Sequence, residues 1–427
     1  MKKIIHNIEQ SPITQWAQGE TKLNHGPWLS YIGVTNICNS RCKVCAHKTA
    51  MRSEQGTMPP EIFDRICSQL PESINKVYLM KQGEPFINKN LENYAAQLRR
   101  QRPKMHIATH TNGILLSEKR LGILKDINSL GVSISAISRD IYKKVHGVDK
   151  FNLVKENLHS LSEALLKIEK KDRPHVFIDY VSQNANASEN REEVIEFFAS
   201  NFPGLASVDF HWVYNFQGEI DEGHMDIYDR LPYEKFPVCI FPNVAVTFCH
   251  DGNVSYCFVE PRENAFLGNI VEQSFEEIWN GAAYTSFRKE MKEHNFAALK
   301  EKGFYCHKCA WLWSLQGQTP QQLIKGLWRK DSTAQSPSTF QQLISSSPEE
   351  LAEEAQAHYL DGNPSQALSV AEFLKATHQS SEAQHIADEI IRHSKDVLNR
   401  YANLSLWQEE LKKEEGHSSR KCEYHEL

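Results

Sequence analysis

From residue 28 onward, short apolar runs alternate with amphipathic stretches. The apolar runs Leu29–Asn36, Lys76–Lys81, His106–Thr111, Gly131–Ile137, His175–Ser182 and Ser207–Tyr214 read as strands. Helical spacing fills the gaps: Glu61–Leu70 behind the Pro59-Pro60 start signal, then Asn90–Arg102, Ser117–Ser129, Phe151–Ile168 and Glu189–Asn201. Alternation repeated this often predicts an α/β fold with parallel strands and crossover helices. Six such units make a partial (βα)6 barrel rather than a closed eight-stranded one. Ligand sites in such folds lie at the C-terminal ends of strands.

The pattern changes at residue 232. Val244–Cys249 and Asn253–Phe258 flank Asp251-Gly252, a hairpin signal. Helices are expected at Ser274–Asn280 and Ala282–His294, and Cys306-His-Lys-Cys309 follows. Residues 232–330 therefore form a small α+β domain behind the barrel of residues 28–231. Residues 331–347, rich in Ser, Thr, Gln and Pro, read as a linker. Ser347-Pro348 opens a helical appendage over 348–415. There Ala355, Tyr359, Gly362, Ala367 and Ala371 fit one hairpin of tetratricopeptide type, without a second copy at that repeat's period. Residues 1–27 form a polar lead-in. Residues 416–427 are expected to be a disordered tail, with Cys422 an incidental thiol.

Composition narrows the partners. The chain of 427 residues is 24% charged with a formal net charge of −6, so no nucleic-acid partner is expected. Its longest apolar stretch, Phe236 to Phe248, carries Pro237 and Pro242 and is too short to span a bilayer. Met-Lys-Lys-Ile-Ile-His-Asn lacks a signal core, so a cytoplasmic location is expected. In such a compartment clustered cysteines bind metal or do chemistry more often than they pair.

Seven of the 10 cysteines fall into two ligand-like sets. The first, Cys38-x3-Cys42-x2-Cys45, begins where the first predicted strand ends. Three thiolates leave one iron of a [4Fe-4S] cube without a protein ligand, whereas a carrier cluster normally has four. Gly83-Glu84-Pro85 follows the second predicted strand and Thr111-Asn112-Gly113 follows the third. Together these segments resemble the radical SAM superfamily over roughly residues 28 to 215. The resemblance implies that the open iron binds S-adenosylmethionine (SAM). One electron then yields methionine and a 5′-deoxyadenosyl radical that abstracts a substrate hydrogen. It also implies that Gly83 and Glu84 lie against the SAM amino group, with Asn112 and Ser135 near ribose and carboxylate. The sequence departs from the family in two places. Val44 stands where an aromatic residue usually precedes the third cysteine, and Gln82 replaces the first glycine of Gly-Gly-Glu.

The second set is Cys239, Cys257, Cys306 and Cys309. Four thiolates complete one cubane, and the same four also suit zinc. With Asp251-Gly252-Asn253 and Leu267-Gly268-Asn269 between them, the set resembles the SPASM/twitch extension of radical SAM enzymes. That implies one auxiliary [4Fe-4S] cluster. Cys249 and Cys67 read as buried small hydrophobes. His110, Asp179, His211, Trp212 and Tyr214 lie on or near the barrel strands, where rim packing and substrate contact are both open. Trp311 and Trp313 are expected around the second set.

An auxiliary cluster beside a catalytic one suits net oxidation. The resemblance extends to radical SAM dehydrogenases that oxidise a secondary alcohol of an aminocyclitol. The leading expectation is therefore a SAM-dependent oxidoreductase acting on a polar, carbohydrate-like small molecule. A peptide maturase and a non-enzymatic iron–sulfur scaffold or electron carrier are the alternatives. Expected partners are the small molecule or peptide, an electron donor such as flavodoxin or ferredoxin, and a protein at the C-terminal helices.

Overall fold

The computed structural model describes residues 6, 8–9, 11–220, 238–309, 347–360, 364–378 and 380–415. The chain divides into two units. One gathers residues 1–25, 234–243 and 311–427, and the other gathers 26–233 and 244–310. The first unit begins with α1 (Pro12–Gln18), capped by Ser11, whose hydroxyl accepts from Thr14 N.

The second unit is built on one nine-stranded sheet in the order β6-β5-β4-β3-β2-β1-β7-β8-β9. Six strands fall on the predicted runs, with β4 shifted toward the N-terminus of its run: β1 (Leu29–Ile32), β2 (Lys76–Tyr78), β3 (His106–Thr111), β4 (Ser129–Ser133), β5 (His175–Ser182) and β6 (Ser207–Trp212). All neighbours in this set are parallel, and the sheet does not close, as a partial barrel requires. Along β5, Val176, Ile178 and Tyr180 are buried while the alternate positions are half-exposed. A strand with one dry face and one wet face reads as this alternation.

The crossovers are α2 (Pro60–Gln69), α3 (Leu91–Gln101), α4 (Arg139–His146), α5 (Phe151–Leu166) and α6 (Arg191–Asn201). One expectation is corrected. The helix expected over Ser117–Ser129 is a 3-10 stretch, Glu118–Lys125. Its buried Leu121 and Leu124 stand three positions apart, one full turn of a 3-10 helix. The helix α4 was not anticipated.

The hairpin at Asp251-Gly252 is present, joining β7 (Ala245–Phe248) to β8 (Asn253–Ser255). Gly252 takes φ +88°, the left-handed conformation such a turn needs. The strand β7 adds to β1 in parallel, and β9 (Phe266–Asn269) adds to β8, so the small domain continues the barrel sheet. Then come α7 (Phe275–Trp279), α8 (Ala282–Lys292) and α9 (Phe296–Glu301). A capping box at Ser274 and Glu277 starts α7.

The first unit is completed by α10 (Pro348–Leu360), α11 (Pro364–Thr377) and α12 (Ser381–Glu415). Tyr359, Ala355, Ala367 and Ala371 are fully buried there. α1 packs against α12, and Thr14 Oγ1 lies 2.6 Å from the buried Tyr359 hydroxyl. The linker up to residue 346, Gly362, Trp311, Trp313, Cys422 and the expected tail lie outside the described residues.

Candidate active site

The cysteine loop leaves β1 and is pinned on both flanks. The Asn36 amide donates to Ser53 Oγ (3.0 Å), Glu54 O (2.9 Å) and Glu263 Oε2 (3.1 Å), and its oxygen accepts from Gly56 N (2.8 Å). His47 Nε2 reaches Asn36 O at 2.5 Å. On the other side Arg41 N and Lys43 N donate to the carbonyls of His146 and Val145 at the end of α4. Gly147 ends that helix with φ +65°, and a Cβ there would stand 2.3 Å from Arg41 O. A side chain at 147 would push the loop away.

Cys38, Cys42 and Cys45 are half-buried on this loop. Burial pushes the Cys38 thiol up to about 11, and it raises Cys42 and Cys45 as well. Three adjacent thiolates in such surroundings need a cationic centre to offset their charge, which iron supplies. The donor set therefore fits an iron–sulfur cube. Beside the loop lies a cavity of about 420 Å³ lined by Cys38, Ser40, His47, Lys48 and Met51 among others.

The sequence did not reveal the group behind Cys42. His146 Nδ1 lies 3.5 Å from Cys42 Sγ, and Ser135 N donates to His146 Nε2 at 3.2 Å. A nitrogen that accepts a backbone N–H is unprotonated, so Nδ1 carries the proton and donates to sulfur. Burial lowers this imidazole to about 4 and keeps it neutral. Tyr142, one turn earlier on α4, is fully buried, its hydroxyl has no hydrogen-bond partner among the described residues, and its ring lies 4.3 Å from that of His146. The spacing Tyr142-x3-His146 before Gly147 was the available signal.

Gly83 adopts φ +80°, and a Cβ there would lie 2.6 Å from Ile37 O. The resemblance places this glycine where the backbone approaches the ligand. The close approach observed is to the cysteine loop itself. Glu84 is 2% exposed. Its Oε1 accepts from Thr111 Oγ1 (2.7 Å) and Phe86 N (3.1 Å), and Oε2 accepts from Asn112 N (2.7 Å). Burial nevertheless raises its carboxyl. Glu84 thus ties the turn after β3 to the turn after β2. Asn112 Nδ2 donates to Asn39 Oδ1 at 2.7 Å, which puts Asn112 beside Cys38. Ser135 bridges to β5, its Oγ accepting from Val181 N at 2.9 Å.

Of the second cysteine set, Cys257 follows β8, and Cys306 and Cys309 bracket a 3-10 turn with Cys309 N donating to Cys306 O. Cys239 precedes the short helix Phe241–Val244, in the segment 234–243 that groups with the other unit. Asn215 Nδ2 donates to Lys308 O at 2.6 Å, and Tyr305 N donates to the Tyr256 hydroxyl at 3.3 Å. Cys249 and Cys67 are buried.

The inner face of the sheet joins this region. Tyr78 and Tyr31 stack at 4.9 Å, and Tyr31 stacks on Phe258, next to Cys257, at 4.4 Å. His110 stands 6.4 Å from Tyr78 on the same face. Asp179 Oδ2 lies 3.5 Å from His110 Nδ1, and Oδ1 lies 3.4 Å from His211 Nε2. Burial alone would raise the Asp179 carboxyl, but His110, His211 and Ser133 hold it below its ordinary value. Burial and Asp179 together raise the Tyr214 phenol. Trp212 ends β6.

The radical SAM superfamily model matches residues 32–201, and the SPASM iron-sulfur cluster-binding domain model matches 239–310. An S-adenosyl-L-methionine-dependent 2-deoxy-scyllo-inosamine dehydrogenase of Niallia circulans is 23% identical over 65% of this chain and 90% of its own length. A GTP 3',8-cyclase of Nautilia profundicola is 29% identical, over 32% of this chain and 44% of its own length. Among solved structures, BtrN in complex with AdoMet and 2-DOIA is 21% identical with a TM-score of 0.43, covering 67% of this chain and 93% of that one. Streptococcus suis SuiB bound to precursor peptide SuiA is 15% identical with a TM-score of 0.49, covering 64% and 69%. No described helix is long and apolar enough to cross a membrane. With its open parallel sheet, its three-cysteine loop and these two matched domains, the chain belongs to the radical SAM superfamily, whose enzymes use SAM and a [4Fe-4S] cluster, and it carries a C-terminal SPASM iron–sulfur domain.

Proposed function

We propose that this enzyme is a SAM-dependent dehydrogenase that oxidises a secondary alcohol of a polar, cyclitol-like small molecule. The observation that carries the reading is the stack Tyr78–Tyr31–Phe258. It runs from the polar inner face of the sheet to the residue beside Cys257. An electron acceptor held by Cys257 would then lie next to the chamber in which the substrate is oxidised. The dehydrogenase of Niallia circulans, aligned over 90% of its length, supports the same chemistry.

When bound, the catalytic cluster and SAM supply the radical that removes the carbinol hydrogen. The chain's residues bind and orient. Cys38, Cys42 and Cys45 hold the catalytic cluster. The loop is fixed by Asn36 and by the end of α4, while Gly83, Glu84, Asn112 and Ser135 shape the SAM side. Glu84 does so by holding the Thr111-Asn112 turn rather than by offering a free carboxylate. Cys257, Cys306 and Cys309 bind the auxiliary cluster, with Cys239 assigned as fourth thiolate from the sequence spacing alone.

Anaerobic reconstitution with iron counting tests the ligand assignment. Wild-type protein is expected to hold about eight irons, two cubanes' worth. The triple variant C38A/C42A/C45A is expected to keep about four and to lose SAM cleavage. If that variant still forms 5′-deoxyadenosine, the catalytic assignment is wrong. If wild-type iron stops at about four with zinc bound, the second site is not a cluster. The substrate class is tested with 2-deoxy-scyllo-inosamine, which should yield a ketone two hydrogens lighter for each 5′-deoxyadenosine formed.

A further inference from the structure

Four polar side chains on four successive strands converge on the inner face: His110 on β3, Ser133 on β4, Asp179 on β5 and His211 on β6. Asp179 is the hub. Its Oδ2 accepts from Ser133 Oγ at 3.1 Å and faces His110 Nδ1 at 3.5 Å, while Oδ1 faces His211 Nε2 at 3.4 Å. The imidazoles approach different carboxylate oxygens, so the arrangement orients two rings rather than gathering ligands around one point. A carboxylate only accepts, so the ring nitrogens facing it carry protons. With the ring protons assigned to the nitrogens facing Asp179, the neutral His110 offers Nε2 as an acceptor and the neutral His211 offers Nδ1.

The His110 ring is held in place. It meets Phe177 edge-on at 5.6 Å. It also covers Gly131, the residue paired with it across β3 and β4. A Cβ at 131 would lie 2.7 Å from the ring, so only glycine leaves that space. His110 is also the residue directly before Thr111-Asn112, the turn that reaches Glu84 and the cysteine loop. It thus sits at the C-terminal strand ends, with the ring 27% exposed.

We propose that His110, oriented by Asp179, is the base that takes the hydroxyl proton of a polyhydroxylated substrate, and that His211 Nδ1 accepts a hydrogen bond from a second hydroxyl or amine of the same molecule. The inference rests on the dehydrogenase reading. The step balances: the carbinol C–H bond breaks and its hydrogen atom goes to the SAM-derived radical. The O–H proton goes to His110 Nε2, one electron goes to the auxiliary iron–sulfur cluster, and the C–O single bond becomes a carbonyl. A carboxylate–imidazole pair suits this task because the carboxylate stabilises the imidazolium that forms.

The test uses the full reconstituted chain and 2-deoxy-scyllo-inosamine deuterated at the carbinol carbon. In H110Q, deuterium transfer into 5′-deoxyadenosine should stay within about threefold of wild type while ketone falls at least tenfold. Retained transfer also shows that the variant folds. G131A, which keeps the imidazole but displaces it, should lose ketone in the same way. Independently of turnover, nitrogen NMR of histidine-labelled protein should show His110 protonated on Nδ1 and bare on Nε2, and D179N should mix the two tautomers. The proposal is overturned if H110Q makes ketone at the wild-type rate, or if Nδ1 is the bare nitrogen. If wild type makes no ketone from the probe, the dehydrogenase reading fails and this step falls with it. Ketone from wild type with an indifferent H110Q overturns the base alone.

Discussion

At the scale of single residues, one buried amine holds two parts of the catalytic unit together. Lys81 Nζ donates to Glu263 Oε1 at 2.9 Å and to Glu260 O at 3.0 Å, and lies 3.8 Å from Glu260 Oε2. All three side chains are at most 2% exposed. Glu263 also accepts from Ser53 and Asn36, which anchor the cysteine loop. Lys81→Met would strand two carboxylates in a dry site and should cost ~3–5 kcal/mol in urea unfolding, as breaking a buried pair does. The same network has a pH signature. Burial opposes the Glu263 charge, yet Lys81, Ser53 and Asn36 draw its carboxyl from 4.5 down to about 2. A carboxyl lowered by folding stabilises fully above its unfolded value and loses that contribution as pH falls through its folded one. The stability gap between wild type and Glu263→Gln, measured before cluster reconstitution, should therefore shrink from about pH 4.5 to about 2. Glu260, raised by burial, works in the opposite sense and takes up its proton at higher pH. None of this was legible in the chain, because Lys81 and Glu263 stand 182 positions apart. The cysteines were legible because ligand spacing is local.

At the scale of elements, strands were easier to read than what connects them. β3 and β5 have the predicted bounds; burial alternates along β5 from His175 to Val181, whereas β3 buries three successive residues, Ile107–Thr109, between the half-exposed His106 and His110. Strands β1, β2, β4 and β6 end earlier than predicted, since their apolar runs continue into the loops that follow, and β4 also begins two residues earlier, at Ser129. The parallel addition of β7 to β1 was not readable at all, as pairing partners leave no mark in local periodicity. The helix α4 was also missed, and it has a function. It brings Tyr142 and His146 to Cys42, and its end receives the backbone of the cysteine loop. A hydrogen bond to a ligating sulfur stabilises the more negative, reduced cluster and so raises its potential. His146→Phe keeps a ring in the site but removes the donor. The catalytic cluster of that variant should become harder to reduce, read as a more negative midpoint in a redox titration followed by electron paramagnetic resonance. An unchanged midpoint would show that the Nδ1 contact does not reach the cluster.

At the scale of the whole molecule, chain order and spatial grouping disagree. The lead-in before residue 26 groups with the C-terminal helices, more than three hundred positions away, and not with the barrel that follows it. Sequence inspection had no means to see this, since a short polar segment with one amphipathic turn looks the same whether it is docked or free. Its burial settles the matter within that unit: Ile8 is 1% exposed and Trp16 is 2% exposed. The Thr14 hydroxyl donates to Ile8 O at 2.6 Å and so accepts from the buried Tyr359 hydroxyl, joining α1 to α10. Two large apolar side chains of this kind contribute about 1.5–3 kcal/mol each when fully buried. That is a large share of the stability of a small helical unit. A chain lacking residues 1–25 should therefore show a lower melting temperature for its helical transition, followed by circular dichroism. Its barrel unit holds the three-cysteine loop and its supports, Asn36, α4 and Lys81, without any residue of that segment. SAM cleavage and the iron held by Cys38, Cys42 and Cys45 should accordingly survive the deletion. Loss of helical stability with retained catalytic iron would separate the two units in function as well as in contact. Loss of both together would show that the lead-in supports the site.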